Sequence, residues 1–253
     1  MILENKVAVI YGGGGAVGGA IAKAFAREGA KVYLAGRTLA PLEEVAGAIR
    51  TNGGHTELEQ VDAFTKESVE HHLANVIGAA GGLDILVNAT SLRGDLQGTP
   101  LLEMTAEDFT LPILTAARTN FLTATAAARY MVKQGQGVIL TISTSSSSLS
   151  GRDRRYHQTG GFSTACAATE TFTRSLAGEL GPKGVRVVCL RPDALPETWP
   201  GTSEVKTYME DGTALGRLPT LAEVASAAVF AASGAAGAMT GTVLNLSCGS
   251  VMD

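Results

Sequence analysis

The sequence predicts an α/β fold in which helices cover both faces of one doubly wound parallel sheet. Two observations support this prediction. Short apolar or β-branched runs alternate with segments of helical period from one end of the chain to the other, which is the pattern of parallel strands joined by helical crossovers. No linker, repeat or change of composition divides the 253 residues, of which 45% are hydrophobic and 17% are charged. We therefore expect a single domain over residues 1–253, with ligands at the carboxyl ends of its strands.

The first half of the chain reads as strands and helices in strict alternation. The run "KVAVIYG" is β-branched, and the helical segment after it ends at Gly29. The second helical segment is closed by Asn52-Gly53-Gly54. The run "LDILVNAT" is nearly continuously apolar, as expected for a strand that is buried on both faces. The predicted elements are strand 6–12, helix 16–30, strand 31–36, helix 39–53, strand 55–62, helix 65–82 and strand 83–90.

The second half of the chain continues the alternation. Its predicted elements are helix 116–135, strand 137–143, helix 162–181, strand 185–192, helix 221–234 and strand 241–247. A serine-rich run, "STSSSS" at 143–148, comes directly after a strand. Because ligands bind at the carboxyl ends of strands, this run is either part of a binding site or a solvent-facing connector.

Composition excludes several classes of protein. A formal charge of -4 and a pI near 5.6 give no basic surface for nucleic acid. Three widely spaced cysteines indicate reduced thiols, and the absence of any apolar run of membrane-spanning length predicts a soluble, cytoplasmic protein with no membrane partner. We expect no metal site, since His55, His71 and His72 lack ligand spacing and read as solvated positions.

A glycine-rich loop, "YGGGGAVGG" at 11–19, joins the first strand to the first helix. Glycines in this context permit positive φ and let a diphosphate reach the backbone amides at the helix N-terminus. The alternative is a flexible turn. After the second strand, "YLAGRT" has no acidic residue to bind a free ribose 2′-hydroxyl, and Arg37 can pair with a 2′-phosphate. The loop predicts a dinucleotide site, and Arg37 favours NADP(H) over NAD(H) unless it is simply a solvated strand end.

With these features the chain resembles the short-chain dehydrogenase/reductase family over essentially its whole length. The resemblance implies a single Rossmann-like domain, NAD(P)-dependent oxidation or reduction of alcohols and carbonyls, and a homotetramer or homodimer. The family's motif Thr-Gly-x-x-x-Gly-x-Gly falls on residues 11–18. Its first and third glycines are kept, and Ala16 replaces the second. The implied diphosphate contacts are Gly12, Gly14, Gly15, Ala16, Val17 and Gly18.

The resemblance also implies the rest of a cofactor site. Asp62 matches the family's aspartate near the adenine, and Asn88 matches the first residue of its Asn-Asn-Ala-Gly. Pro192-Asp193 falls on the Pro-Gly that carries the nicotinamide, so a carboxylate replaces a glycine there. Thr198 falls on a threonine that often touches the nicotinamide amide or the diphosphate.

The catalytic residues that the resemblance implies are incomplete. Asn120 matches the family's catalytic asparagine, and Thr144 matches its serine. The Tyr-x-x-x-Lys pair falls on Phe162 and Cys166. Phenylalanine has no proton to give and a neutral thiol supplies no cation, so the usual proton transfer is lost. We treat Cys166 as buried packing in preference to a reactive thiol.

Substitute proton donors lie shortly before the active-site helix, in "SLSGRDRRYHQTGG". Tyr156 and the adjoining His157 can donate a proton, and the arginines around them can lower the pKa of a tyrosine. The alternative is a solvated surface loop or a subunit contact. We name Tyr156 as the candidate catalytic residue of this segment.

Three functions remain open on the sequence. The first is an NADP(H)-dependent oxidoreductase with a rearranged proton donor and a small-molecule substrate. The second is a catalytically inactive dinucleotide-binding protein that partners an active relative. The third is a non-redox lyase or cyclase reaction in the same cleft. In the family the helices that hold Asn120 and Phe162 form the main subunit contact, and the alanine-rich sequence of these helices permits such packing.

Overall fold

The computed structural model describes residues 1–149, 157–198 and 203–252. Its centre is a parallel sheet of seven strands in the order β3-β2-β1-β4-β5-β6-β7. The strands are β1 Val7–Tyr11, β2 Lys31–Gly36, β3 Thr56–Gln60, β4 Ile85–Asn88, β5 Gly137–Ile142, β6 Val185–Pro192 and β7 Thr242–Leu246. This is the predicted fold class, and every predicted strand forms.

Helices cover both faces of the sheet. They are α1 Ala16–Arg27, α2 Leu39–Thr51, α3 Lys66–Ala80, α4 Ala106–Gln134, α5 Gly160–Leu180, α6 Ser203–Asp211 and α7 Leu221–Ala232. Because successive side chains of a strand point to opposite faces, β1 serves two cores. Ala8 and Ile10 pack with α1, α2 and α7, whereas Val7, Val9 and Tyr11 pack with α3, α4 and α5.

The register of the sheet gathers the functional loops at one edge. Tyr11, the last residue of β1, pairs with Ala35 of β2 and with Asn88 of β4. Ile142 of β5 pairs with Leu190 of β6. The connections that follow these strands therefore all start at the carboxyl edge. The order reverses at β1, which is the switch point where ligands bind in folds of this kind.

Two helices differ from the sequence prediction. The fourth helix begins at Ala106, ten residues before the predicted start, and continues through Pro112. Its N-cap is Thr105, whose hydroxyl oxygen accepts the Asp108 amide at 3.0 Å, so the extra turns have a proper start. The short helix Ser203–Asp211 was not predicted. Within the described residues, no helix combines the length and apolarity that crossing a bilayer requires.

Candidate active site

The glycine loop between β1 and α1 is held by two close backbone approaches. Gly12 has a φ of +78°, and a Cβ there would overlap the carbonyl oxygen of Ala89. A Cβ at Gly18 would overlap the carbonyl oxygen of Gly12. Only glycine therefore fits at these two positions, which brings α1 against the loop and the loop against the connection after β4. These are the first and third glycines of the predicted motif.

The N-terminus of α1 is open at the carboxyl edge. The helix begins at Ala16 with Gly15 as N-cap, no side chain of the described residues caps it, and its first turn has no acidic residue. Gly15 and Ala16 are exposed, and Gly14 and Val17 are half-buried. First-turn amides without internal partners and the positive end of the helix dipole attract an anion. The predicted residues Gly14, Gly15, Ala16 and Val17 thus form a cradle that suits a diphosphate.

Arg37 and Asp62 lie on neighbouring connections next to this cradle. Arg37 is the first residue after β2 and is exposed, and its carbonyl oxygen accepts the Gln60 side-chain amide at 2.7 Å. Asp62 is exposed after β3, where its carboxylate accepts the Phe64 amide at 3.0 Å and the Thr65 hydroxyl at 3.2 Å. The Arg37 guanidinium is accessible to a ligand, while the carboxylate of Asp62 also shapes its own turn.

Asn88 ends β4 with its side chain buried. Its amide nitrogen donates to Thr123 at 3.3 Å, and its amide oxygen accepts the Thr90 hydroxyl at 2.7 Å. These bonds connect the loop after β4 to α4 and support the Ala89 carbonyl that faces Gly12. The described hydrogen bonds of the Asn88 side chain therefore hold the loop after β4 in place.

Phe162 and Cys166 lie on a packed face of α5. Cys166 is fully buried, with its Sγ 3.4 Å from Thr144 Oγ1. Burial raises the pKa of the Cys166 thiol to about 11, so the thiol is neutral at physiological pH. Phe162 is 9% exposed, and a Cβ at Gly94 would lie 3.6 Å from its Cε2 atom. Phe162 therefore has no proton to donate, and the neutral Cys166 thiol is a weak donor that carries no positive charge.

Asn120, on α4, has an unsatisfied hydrogen-bond acceptor in its side-chain amide oxygen. Its amide nitrogen donates to the Ala116 carbonyl at 3.0 Å and to the Thr169 hydroxyl at 3.4 Å. Its amide oxygen is buried and has no hydrogen-bond partner in the part of the chain that the structure describes. Buried acceptors normally have a partner, so this oxygen is available to a water molecule or to a ligand group.

The serine-rich run after β5 is anchored in the protein interior. Ser143 and Ser145 are buried. Ser143 donates to Glu170 at 3.0 Å, Ser147 donates to the same oxygen at 2.8 Å, and Ser145 donates to Asp193 at 2.7 Å. The alternative of a solvent-facing connector is therefore wrong.

Sequence reasoning missed Glu170, although its position four residues after Cys166 already put an acid on the buried face of the helix. The carboxylate on α5 lies beneath the loop that carries Thr144.

The connection after β6 is fixed by its own carboxylate. Asp193, next to Pro192, is 6% exposed, and besides Ser145 it accepts the Ala194 amide at 2.7 Å and the Ser250 hydroxyl. Thr198 lies further along, where its hydroxyl donates to the Leu195 carbonyl at 2.8 Å. Asp193 thus joins the connections that follow β5, β6 and β7.

Of the two candidate substitute proton donors, Tyr156 and His157, the structure describes only His157. Tyr156 lies outside the described residues. His157, three residues before the start of α5, contacts Tyr208 of α6 with ring centroids 6.1 Å apart. The helix that the sequence did not predict therefore brings a tyrosine next to His157.

His72 departs from the expectation that it is solvated. It is 1% exposed, and its Nδ1 lies 3.1 Å from the hydroxyl of Tyr11. Burial lowers the pKa of His72 to about 4. The missed signal was Tyr11, whose large side chain at the end of β1 reaches α3 and needs a polar partner there.

A cavity of about 450 Å³ lies at the opposite, amino edge of the sheet. Lys6 and Asp84, which line it, form an ion pair at 3.0 Å. Arg186 also lines it and donates to the Met239 and Ser233 carbonyls at 3.2 and 3.1 Å. These charges are engaged in holding the ends of strands and of α7, so we locate the candidate site at the carboxyl edge.

The geometry agrees with comparisons against known proteins. The profile of a family described as Enoyl-(Acyl carrier protein) reductase matches residues 14–250. An uncharacterized oxidoreductase of Mycobacterium tuberculosis is 34% identical over 254 residues, which cover 98% of this chain and 92% of the relative.

Solved structures agree. A short-chain type dehydrogenase/reductase from Mycobacterium marinum is 30% identical, with a TM-score of 0.88 over 99% of this chain and 97% of that one. A 7α-hydroxysteroid dehydrogenase complexed with NADH and 7-oxo glycochenodeoxycholic acid is 28% identical, with a TM-score of 0.88 over 99% of this chain and 96% of that one. The chain belongs to the short-chain dehydrogenase/reductase family and is of the oxidoreductase class.

Proposed function

We propose that this protein binds NADP(H) at the carboxyl edge of the sheet and transfers a hydride between the nicotinamide and a small-molecule substrate. The observation that supports this most strongly is the cradle formed by the glycine loop and the uncapped start of α1. Gly12 and Gly18 allow the close approach, and the free amides of the first turn suit a diphosphate. The hydride is the chemistry that the bound cofactor supplies.

The preference for NADP(H) rests on Arg37. Its exposed guanidinium follows β2, where an acidic residue would repel a 2′-phosphate. A planar guanidinium binds phosphate through two parallel hydrogen bonds. A homologue of known structure is complexed with NADH, so Arg37 is the residue to vary.

The chain's own residues then orient the substrate. The Thr144 hydroxyl donates a hydrogen bond to the substrate oxygen, and the buried oxygen of Asn120 accepts one from a bound water molecule. Phe162 and Cys166, at the predicted positions of the family's tyrosine and lysine, supply no proton. The proton comes instead from Tyr156, from His157 or from water, which suits an activated alkene or an imine as substrate.

The proposal includes a homo-oligomer that packs through α4 and α5. Leu114 and Phe121 of α4 are 58% and 56% exposed. They lie seven residues apart, on one face of the helix that the family uses for its main subunit contact. A homodimer or homotetramer that packs through α4 and α5 would cover them.

The experiment is a calorimetric titration of the Arg37→Asp variant with NADPH and with NADH. We expect the affinity for NADPH to fall by about 10²-fold or more, because a carboxylate replaces the phosphate partner, and the affinity for NADH to rise. Arg27→Gln, which changes an exposed arginine at the far end of α1, is the matched control and leaves both affinities unchanged. Equal loss of both ligands in the Arg37 variant would contradict the assignment.

A further inference from the structure

We propose that two buried carboxylates, Glu170 and Asp193, are positioning residues that hold Thr144 in place for the reaction proposed above. The inference rests on that proposed function for the role of Thr144. The geometry of the carboxylates stands independently of it. The two serines that flank Thr144 each donate to a different one of these carboxylates.

Glu170 fixes the residue before Thr144. Its Oε1 accepts the Ser143 hydroxyl at 3.0 Å, and it also accepts the Ser147 hydroxyl at 2.8 Å. One oxygen of α5 therefore holds the start and the end of the same turn. The backbone adds a bond from the Ser143 amide to the Leu190 carbonyl at 2.9 Å.

Asp193 fixes the residue after Thr144. Its Oδ1 accepts the Ser145 hydroxyl and the Ala194 amide, both at 2.7 Å. Its Oδ2 accepts the Ser250 hydroxyl from the segment after β7. The loop of Thr144 is thereby tied to the connections that follow β6 and β7.

The two carboxylates are compensated in different ways. Oε2 of Glu170 lies 3.7 Å from Arg191, which is itself buried, and 3.7 Å from Arg174. Asp193 is compensated by three hydrogen-bond donors. A buried charge is stable only when it is paired or hydrogen-bonded in this way, and bonds to a charged acceptor are stronger than neutral ones.

The consequence is a rigid hydroxyl at Thr144. With both neighbours held, its Oγ1 accepts the Ser146 amide at 3.2 Å and faces Cys166 Sγ at 3.4 Å. One lone pair of the oxygen is thus occupied, and either Thr144 or Cys166 can be the donor between them, so the hydroxyl hydrogen can turn to a substrate oxygen. A donor that is fixed before the substrate arrives costs no reorganisation during the reaction.

The test uses Cys166 as a reporter, because the thiol contacts Thr144 and is fully buried. Folded protein is treated with N-ethylmaleimide, and the labelling rates of Cys166 and Cys189 are mapped by mass spectrometry. Ser145→Ala and Asp193→Ala each loosen the loop, so the ratio of Cys166 to Cys189 labelling rises about tenfold. General destabilisation would expose both thiols, since Cys189 is equally buried, and would leave the ratio unchanged.

Rescue separates hydrogen bonding from charge. Asp193→Asn and Glu170→Gln keep an oxygen that accepts from the serines, so the labelling ratio stays within about twofold of the parent protein. Ser226→Ala, which changes an exposed serine on α7, is the matched control.

Unchanged Cys166 labelling in folded Ser145→Ala and Ser143→Ala overturns the proposal, and so does an amide variant as reactive as the alanine variant. Should Asp193→Ala not fold, the two serine variants decide. NADPH titration of the same proteins tests the proposed function separately, because the labelling needs no cofactor.

Discussion

At the scale of the residue, the proposed chemistry depends on Phe162 and Cys166, which fall on the predicted positions of the family's tyrosine and lysine. Both are packed, Cys166 against Thr144 and Phe162 towards the loop that contains Gly94. A phenyl ring has no proton to transfer, and a neutral thiol supplies no cation to lower the pKa of a phenol, whereas a phenol next to an ammonium group can transfer a proton. The fold is that of the family, and we propose that the cleft uses a different proton donor.

The first prediction concerns this pair. A Phe162→Tyr/Cys166→Lys double variant should gain NADPH-dependent carbonyl reduction of about 10²-fold or more, because it restores a general acid. The measurement is the loss of NADPH absorbance with a panel of simple ketones. Ala167→Lys/Phe172→Tyr adds the same groups to the same helix away from Thr144 and should gain nothing. A double variant that stays folded, binds NADPH and reduces none of the panel would contradict the predicted positions.

The second prediction concerns His72. Its pKa is lowered to about 4 by burial, against 6.5 for an unperturbed histidine, so the fold favours the neutral ring. The contribution of the neutral His72 ring to the free energy of unfolding is fully present above pH 6.5 and is lost as pH falls from 6.5 towards 4. Over that window the loss amounts to about 3 kcal/mol.

Urea denaturation at a series of pH values measures this pH dependence of the free energy of unfolding. His72→Gln should remove this part of the pH dependence. His71→Gln, at the exposed neighbouring position, should keep it. An identical pH dependence of the parent protein and His72→Gln would rule out the assignment.

Residue-scale sequence reasoning succeeds where a local motif carries the information and fails where partners come from distant strands. Gly12 and Gly18 are recognisable from their spacing between a strand and a helix. The bonds from Ser143 to Glu170 and from Ser145 to Asp193 join positions 27 and 48 residues apart. No period or motif encodes such pairs: the register of β5 against β6 brings Ser145 to Asp193, and the packing of α5 brings Glu170 to Ser143.

At the scale of the element, the connection from β1 to α1 is the most constrained part of the site. Gly12 and Gly53 both have positive φ, but a Cβ at Gly53 would meet nothing within 4 Å, whereas one at Gly12 would overlap the Ala89 carbonyl. An alanine at Gly53 therefore introduces backbone strain alone, whereas an alanine at Gly12 introduces both strain and steric overlap.

The third prediction uses this contrast. Gly53→Ala should lower the free energy of unfolding by about 1 kcal/mol, from the strain of a positive φ alone. Gly12→Ala should cost at least about 2 kcal/mol more, because the loop must also move away from the connection after β4. Urea denaturation measures both variants. Equal costs would show that the close approach at Gly12 contributes nothing to stability.

Sequence patterns define the elements with strong periodicity and miss those that lack it. All seven strands and six of the described helices were predicted. The helix α4 was started too late because Pro112 lies inside it, and a proline in a helix removes a hydrogen bond. Pro112 is the seventh residue of the helix, which continues through it without the backbone hydrogen bond that an N–H at this position would donate to the Asp108 carbonyl. The helix Ser203–Asp211 is short and mostly polar, and so gives little apolar pattern to detect.

At the scale of the whole molecule, the sheet order determines where the proposed site lies. The connections after β1, β2, β4, β5 and β6 all start at one edge, and the strand order reverses at β1. The cradle for an anion, Arg37, Thr144 and the carboxylates that flank it are therefore on one side of the molecule. The charges around the cavity at the other edge are engaged in structural contacts.

The measurement that tests the central claim most directly is a calorimetric titration of the unmodified protein with NADPH and with NADH, without substrate. The account predicts tight binding of NADPH and weak binding of NADH, because the open amides of α1 hold the diphosphate and Arg37 holds the 2′-phosphate. Equal binding of both would contradict the role of Arg37. Binding of neither would contradict the dinucleotide site itself and would favour a non-redox or non-catalytic role for this cleft.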